Sequence, residues 1–180
     1  MGNLGKVIAC FKELGIKPKV DNFQSKLVMQ KVTYLLDAMG VKTGFSFSLY
    51  IRGTYSPDLT AALYQHKTEV EAQETSEKLS SSELEHVRHL EEVMGGEFRP
   101  SIVEIAATYA YLAYYLKMSS NGARIKLRQM KSFYSEADFA VGINRAKELF
   151  FHPTEEDLRK LKEEMRTWNL ASDEDGKKWA

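Results

Sequence analysis

Apolar residues recur at helical spacing along nearly the whole chain of 180 residues, and only one short segment alternates instead. In that segment Phe45, Phe47, Leu49 and Ile51 are separated by polar or aromatic residues, which is the pattern of a half-buried strand. The sequence therefore predicts a mainly α fold of about seven helices, with one short β-strand or hairpin near residues 44–53.

Capping signals divide the helical part of the chain. Asp21 or Asn22 can cap a helix that Gly40 ends, and Ser56 with Pro57 suits the start of the helix after the strand. A further helix is expected to begin at Ser82, which has capping-box spacing to Glu85. The apolar run at 102–118 predicts a central core helix. These boundaries indicate one helical domain, 1–151, and a charged C-terminal helix with a frayed tail, 152–180.

The charge balance excludes a strong overall attraction to nucleic acid, membranes or acidic substrates, because 25 basic residues face 25 acidic ones. The single cysteine, Cys10, lies among apolar residues and cannot form an internal disulfide. With no secretion signal at the N-terminus, we expect a cytoplasmic protein that does not bind membranes.

No motif in the sequence indicates catalysis or a cofactor. It contains no nucleophile elbow, phosphate-binding loop or dinucleotide fingerprint. Glu83 and His86 have the Glu-x-x-His spacing of carboxylate-bridged metal sites, but the chain has no second copy. We therefore expect no enzyme, no metal site and no cofactor, although a site assembled from residues distant in sequence is invisible at this stage.

Two surfaces are candidates for binding. The first combines one side of the second helix with the strand and turn, because tyrosine and arginine are enriched in binding hot spots. Its predicted partner-binding residues are Gln30, Lys31, Tyr34, Tyr50, Arg52 and Tyr55.

The second candidate surface is a short basic helix followed by a turn and another helix. This outline is typical of a helix-turn-helix, whose cations could contact phosphates. The nucleic-acid-binding residues predicted there are Arg124, Lys126, Arg128 and Lys131. A solvated basic face, or a site for an acidic protein, would have the same pattern.

The helix at 26–36 and the following strand and turn at 47–59 resemble the YwgA-like bacterial and archaeal family, which is related to the SocA-like antitoxins with the Panacea domain. The residues that match the family pattern are Gln30, Lys31, Tyr34, Gly53, Tyr55, Ser56 and Pro57, whereas Thr54 stands where the family usually has proline. A weaker similarity continues through 105–112 and 126–135, so that the resemblance covers most of residues 20–151.

The resemblance implies a regulatory or antitoxin-like module that works through protein contacts. Its expected partner is a toxin or a regulatory protein, and a homodimer is compatible with this role. The alternative hypothesis is a helix-turn-helix regulator that binds DNA or RNA through the basic helix.

Overall fold

The computed structural model describes residues 1–178, and it is mainly helical with a single two-stranded hairpin, as the sequence predicts. The elements in chain order are α1 (Leu4–Glu13), α2 (Phe23–Met39), β1 (Ser48–Tyr50), β2 (Gly53–Tyr55), α3 (Pro57–Gln65), α4 (Lys67–Ala72), α5 (Ser81–Met94), α6 (Pro100–Ala110), a π-helical turn (Tyr111–Tyr115), α7 (Ser120–Met130), α8 (Glu136–Phe150) and α9 (Glu155–Lys178).

Most helix starts lie where the capping residues predict them. The side chains of Asn22 and Ser56 accept backbone N–H groups at the starts of α2 and α3, which satisfies donors that have no partner within the helix. The predicted capping box of α5 is wrong by two residues, because Ser80 and Glu83 form it. Both pairs have the same spacing, and Glu83 is further fixed by a 2.6 Å salt bridge with Lys6 of α1.

Helix α6 is the centre of the fold and packs against α2 on one side and α8 on the other. Nine consecutive residues, 102–110, are buried, which confirms a central helix in the first part of the predicted run. The α-helix ends at Ala110 and not at 118, since a π-helical turn follows it and Tyr115 and Leu116 are exposed. Gly142 lets α8 approach closely, since a Cβ at that position would lie 2.4 Å from Cγ2 of Ile105. The core is therefore a layer of helices around α6, with the hairpin resting on α2 and α6.

The hairpin differs in one respect from the predicted strand. Strand β1 ends at Tyr50, Ile51 and Arg52 form a two-residue loop, and β2 returns with Tyr50 opposite Gly53. The alternating pattern placed Ile51 on the buried side, but its side chain is 93% exposed at the tip. The chain reverses after Tyr50, so the alternation no longer reports which residues face the core.

The described chain forms two compact units, which divide after Phe150. In the second unit, Thr154 caps α9 through reciprocal hydrogen bonds with Asp157. Helix α9 continues to Lys178, beyond the point at 172 where fraying was expected, and residues 179–180 of the predicted tail lie outside the described part. Of the helices within residues 1–178, none combines the length and apolarity needed to cross a membrane.

Candidate interaction site at the hairpin

Gln30 of α2 forms hydrogen bonds with residues that follow strand β2. Its Nε2 donates hydrogen bonds to the backbone oxygen of Ser56, at 3.0 Å, and to Oγ1 of Thr60, at 2.8 Å. Its Oε1 accepts the backbone N–H of Ser56 at 2.9 Å. One buried side chain thus satisfies both backbone groups of the residue that caps α3, and it fixes the hairpin relative to α2.

Lys31, the next residue, reaches under the hairpin loop. Its Nζ donates to the backbone oxygen of Arg52 at 2.9 Å and to that of Thr54, and only 3% of the residue is exposed. Burial lowers the pKa of Lys31 to about 8, against the opposing attraction of Glu104. The lysine therefore stabilises the hairpin loop by donating hydrogen bonds to its backbone. We call Gln30 and Lys31 the α2 clamp.

Gly53 allows the hairpin to lie directly on the core. Its φ of +89° is a conformation that L side chains rarely adopt. A Cβ there would also lie 2.3 Å from Oγ1 of Thr108 on α6, which is closer than any van der Waals contact. A glycine is thus required at this position for two independent reasons.

A second buried charge cluster ties α6 to the end of α7. Oε1 of Glu104 accepts a hydrogen bond from Nζ of Lys131 at 2.5 Å, and both side chains are at most 3% exposed. Oε2 of Glu104 accepts from the hydroxyl of Tyr134, and burial together with this contact raises the pKa of that phenol. Lys31 is also electrostatically coupled to Glu104 and Lys131. The carboxylate therefore compensates buried positive charge beneath the hairpin.

Above these buried groups, the hairpin loop presents an exposed apolar and basic surface. Ile51 projects from the tip, Phe133 is 72% exposed and Phe23 is 49% exposed. The guanidinium of Arg52 lies 4.7 Å from the ring centre of Phe23, which is cation–π geometry. The exposed ring of Tyr50 packs edge-on against the half-buried ring of Tyr55, with 5.4 Å between the ring centres. We call Phe23, Tyr50, Ile51, Arg52 and Phe133 the hairpin-tip surface.

A recess opens beside this surface. It has a volume of about 490 Å³, and Phe23, Ile51, Arg52 and Phe133 contribute to its walls together with Glu104 and Lys131. A smaller cavity of about 180 Å³ lies on the other side of the Arg52–Phe23 stack, against the α2 clamp. The size of the larger recess and its aromatic walls suit a side chain inserted by a partner protein.

The structure separates the six predicted partner-binding residues into two groups. Tyr50, Arg52 and Tyr55 lie together on the hairpin, with Tyr50 and Arg52 exposed. Gln30, Lys31 and Tyr34 are buried, which contradicts the expectation that they face solvent. Their polar groups looked like one side of an exposed helix because the backbone atoms that Gln30 and Lys31 contact lie more than twenty residues away.

The predicted basic face is also smaller than its sequence indicates. Lys131 is 1% exposed and paired with Glu104, so its expected exposure is wrong. Arg128 pairs with Glu136 at 2.5 Å and lies over the ring of Phe139, whereas Arg124 and Lys126 are exposed. The second helix of the supposed helix-turn-helix begins with Glu136 and Asp138, whose charge would repel phosphates.

Two smaller points concern metal and thiol chemistry. Across residues 1–178, no three His, Cys, Asp or Glu side chains are grouped in a way that could hold a metal ion. Cys10 is buried as predicted, and burial raises the pKa of its thiol to about 12. A thiol in that environment remains protonated and unreactive at neutral pH.

Several residues of this site carry no signal that was recognised in the sequence. Glu104 is a lone carboxylate in an otherwise apolar helix, and such a residue needs a buried cation, but its partner Lys131 is 27 residues away. Phe23, Ile51 and Phe133 look like ordinary core residues of amphipathic segments. The chain matches no protein-family model, no curated protein and no solved structure with which it was compared.

Proposed function

We propose that this chain is a protein-interaction module of the YwgA-like type, with a regulatory or antitoxin-like role in the cytoplasm, and that it binds its partner through the hairpin-tip surface. The observation that carries the proposal is the exposure of Ile51 at the end of a hairpin whose base is fixed by buried polar contacts. Because these contacts fix the backbone next to Ile51, binding there orders little additional backbone, which favours a role as an anchor.

The residues that carry the resemblance support this proposal as a physical unit. Gln30 and Lys31 hold the backbone of 52–56, Gly53 lets it lie on α6, and Ser56 and Pro57 start α3. The Gln-Lys of the helix and the Gly-x-Tyr-Ser-Pro of the turn are thus parts of one structural unit. This unit holds the hairpin so that Ile51 and Arg52 lie in its exposed loop.

The chemistry of the surface indicates what the partner must offer. Arg52 forms no salt bridge with any group in the described part of the chain, and its neighbours Phe23, Ile51 and Phe133 are apolar. The complementary partner segment carries an apolar anchor for the recess and an acidic residue for Arg52. A charge-assisted pair at the rim adds specificity, whereas the apolar anchor provides most of the affinity.

Site-specific photo-crosslinking in cells of the source organism tests the proposal. A photoreactive phenylalanine replaces Ile51 in one variant and Ile125 in a matched variant, because Ile125 of α7 is also an exposed isoleucine. We expect one defined protein adduct from position 51 and none of the same mass from position 125. If both positions give the same adducts, or position 51 gives none, the hairpin-tip surface is not the binding site.

The product of the crosslink also tests the biological role. If a gene adjacent to the one for this chain encodes a growth-inhibiting protein, that protein is the first candidate partner to examine. We expect co-expression of this chain to restore growth in cells that produce the inhibitor, and Ile51→Asp to abolish the rescue. Rescue by the Ile51→Asp variant would contradict an antitoxin-like role for this surface.

A further inference from the structure

A second cleft lies away from the hairpin tip, between α2, the approach to β1 and the π-helical turn. Its volume is about 410 Å³, within the range of small-molecule sites. The lining consists mainly of aromatic side chains: Tyr34, Phe45, Phe47, Tyr111, Tyr114, Tyr115 and Phe150. Of the described residues, Asp37 is the only charged one in this lining.

Four of these aromatic rings form a continuous wall. Phe47 and Tyr34 are 5.5 Å apart, Tyr34 and Tyr111 are 5.9 Å apart, and Tyr111 and Tyr115 are 4.8 Å apart, measured between ring centres. The π-helical turn contributes three of the lining tyrosines, and such local widening of a helix is frequent at functional sites. Ring faces carry partial negative charge, so several rings around one cleft attract a cation.

Asp37 adds a full negative charge to this wall. Its Oδ1 accepts hydrogen bonds from the backbone N–H of Thr43 at 3.0 Å and from its hydroxyl at 2.9 Å. No Lys, Arg or His lines the cleft to compensate that charge, and Oδ2 has no hydrogen-bond partner within the described residues. The carboxylate is thus held in place by one oxygen while the other is free for a ligand.

The tyrosine hydroxyls are available as well. Those of Tyr34, Tyr111, Tyr114 and Tyr115 take part in no hydrogen bond within residues 1–178, in contrast to the hydroxyls of Tyr109 and Tyr134. Burial raises the pKa of Tyr34, Tyr111 and Tyr114, which keeps these phenols neutral. We infer that this aromatic cleft binds an organic cation of the alkylated ammonium type, with Asp37 as its counter-charge.

A titration followed by NMR tests the inference with choline and its uncharged carbon analogue, 3,3-dimethylbutan-1-ol. The two molecules have nearly the same shape, so the difference in affinity reports the charge. We expect choline to shift the signals of the cleft residues saturably and to bind at least about tenfold more tightly than the analogue. Equal affinities for the two molecules, or no saturable binding of choline, would overturn the inference.

Variants place the binding in this cleft. Asp37→Asn retains an oxygen for the two contacts from Thr43 but removes the charge, and Tyr115→Leu removes a lining ring that is 65% exposed. Each should weaken choline binding by about fivefold or more, whereas Asp58→Asn, an exposed carboxylate on α3, should leave it unchanged. Unaltered binding by Asp37→Asn would contradict the assignment.

The same cation could come from a free metabolite or from a methylated side chain of a protein. A peptide with a single trimethyllysine, titrated beside choline and beside its unmethylated form, distinguishes the two sources. Binding of the methylated peptide tighter than that of choline indicates a protein ligand, and the reverse order indicates a small molecule. If neither ligand binds, the cleft is not a cation site; this result leaves the role of the hairpin-tip surface untouched.

Discussion

At the scale of single residues, the buried lysines are the least expected feature of the chain. A lysine side chain is rarely enclosed unless its charge is paired or its protons are accepted. Lys31 donates to two backbone oxygens of the hairpin, and Lys131 is paired with Glu104. Lys31 therefore connects α2 to the hairpin, and Lys131 connects the end of α7 to α6. Removing either lysine should affect the fold before it affects any surface.

Replacing Lys31 by methionine is expected to destabilise the protein. The buried backbone oxygen of Thr54 and the partly buried one of Arg52 would lose their donor, at a cost of about 1–3 kcal/mol in the free energy of unfolding. Lys26→Met is the matched control, because Lys26 lies on the same helix and its ammonium contacts the hydroxyl and the ring of partly exposed Tyr64. Urea unfolding of both variants measures the difference; equal stabilities would show that the clamp contributes nothing.

The same residue predicts a pH dependence. The folded-state pKa of Lys31, about 8, is lower than its ordinary value of 10.5, so the unfolded chain binds more protons between these two values. The contribution of Lys31 to stability should therefore be smallest below pH 8 and should rise toward pH 10. The free energy of unfolding of the wild type relative to Lys31→Met, measured at pH 7, 8 and 9.5, should increase over this series; a constant difference would contradict the lowered pKa.

Glu104 offers a test of the second buried cluster. Glu104→Gln leaves Lys131 buried without its counter-charge and should cost about 3–5 kcal/mol. Adding Lys131→Met should restore part of that loss, since the double variant no longer buries the Lys131 ammonium without its carboxylate. In contrast, neutralising the exposed pair Arg145 and Glu148 should change stability by about 0–1 kcal/mol. A double variant less stable than Glu104→Gln alone would contradict the pairing.

At the scale of elements, the hairpin depends on how closely it approaches α6. Gly53→Ala would suffer both an unfavourable positive φ and a Cβ within 2.3 Å of Thr108 Oγ1. Gly95→Ala is the matched control, because Gly95 also has a positive φ but no atom within 4 Å of its Cβ position. Each variant should lose about 1–2 kcal/mol of unfolding free energy because of its positive φ. Gly53→Ala should lose more because of the contact with Thr108, and thermal unfolding of the two variants measures the difference. Equal losses would show that the close approach is unimportant.

The sequence predicts a helix or strand correctly when the contacts that define it lie within a few residues along the chain. Two helix starts are marked by contacts within three residues, at Asn22 for α2 and at Ser56 with Pro57 for α3, and the structure confirms both. The alternating pattern located the hairpin but could not show that the chain reverses at Ile51. Helix α4 has no separate signal in the sequence, because its one buried apolar residue, Val70, lies in a polar segment. The burial of Lys31 and Lys131 depends on partners far along the chain, which no local pattern reports.

At the scale of the whole molecule, the hydrophobic core formed by the described residues, 1–178, has all its members within residues 4–150. A protein made of residues 1–150 is therefore expected to fold without α9, since it retains the buried apolar contacts of that core. We expect it to be helical by circular dichroism and to unfold in one cooperative urea transition. A truncated chain with no cooperative transition would show that the first unit depends on the second.

If the fold holds the hairpin in place so that its tip binds a partner protein, the affinity for the partner captured by crosslinking depends on Ile51, and calorimetric titration measures that dependence. The wild type, Ile51→Asp and Ile125→Asp are titrated with that partner under identical conditions. Loss of an apolar anchor costs at least about 2 kcal/mol, so the account predicts binding roughly thirtyfold weaker or worse for Ile51→Asp and unchanged for Ile125→Asp. Equal affinities of all three proteins would contradict it.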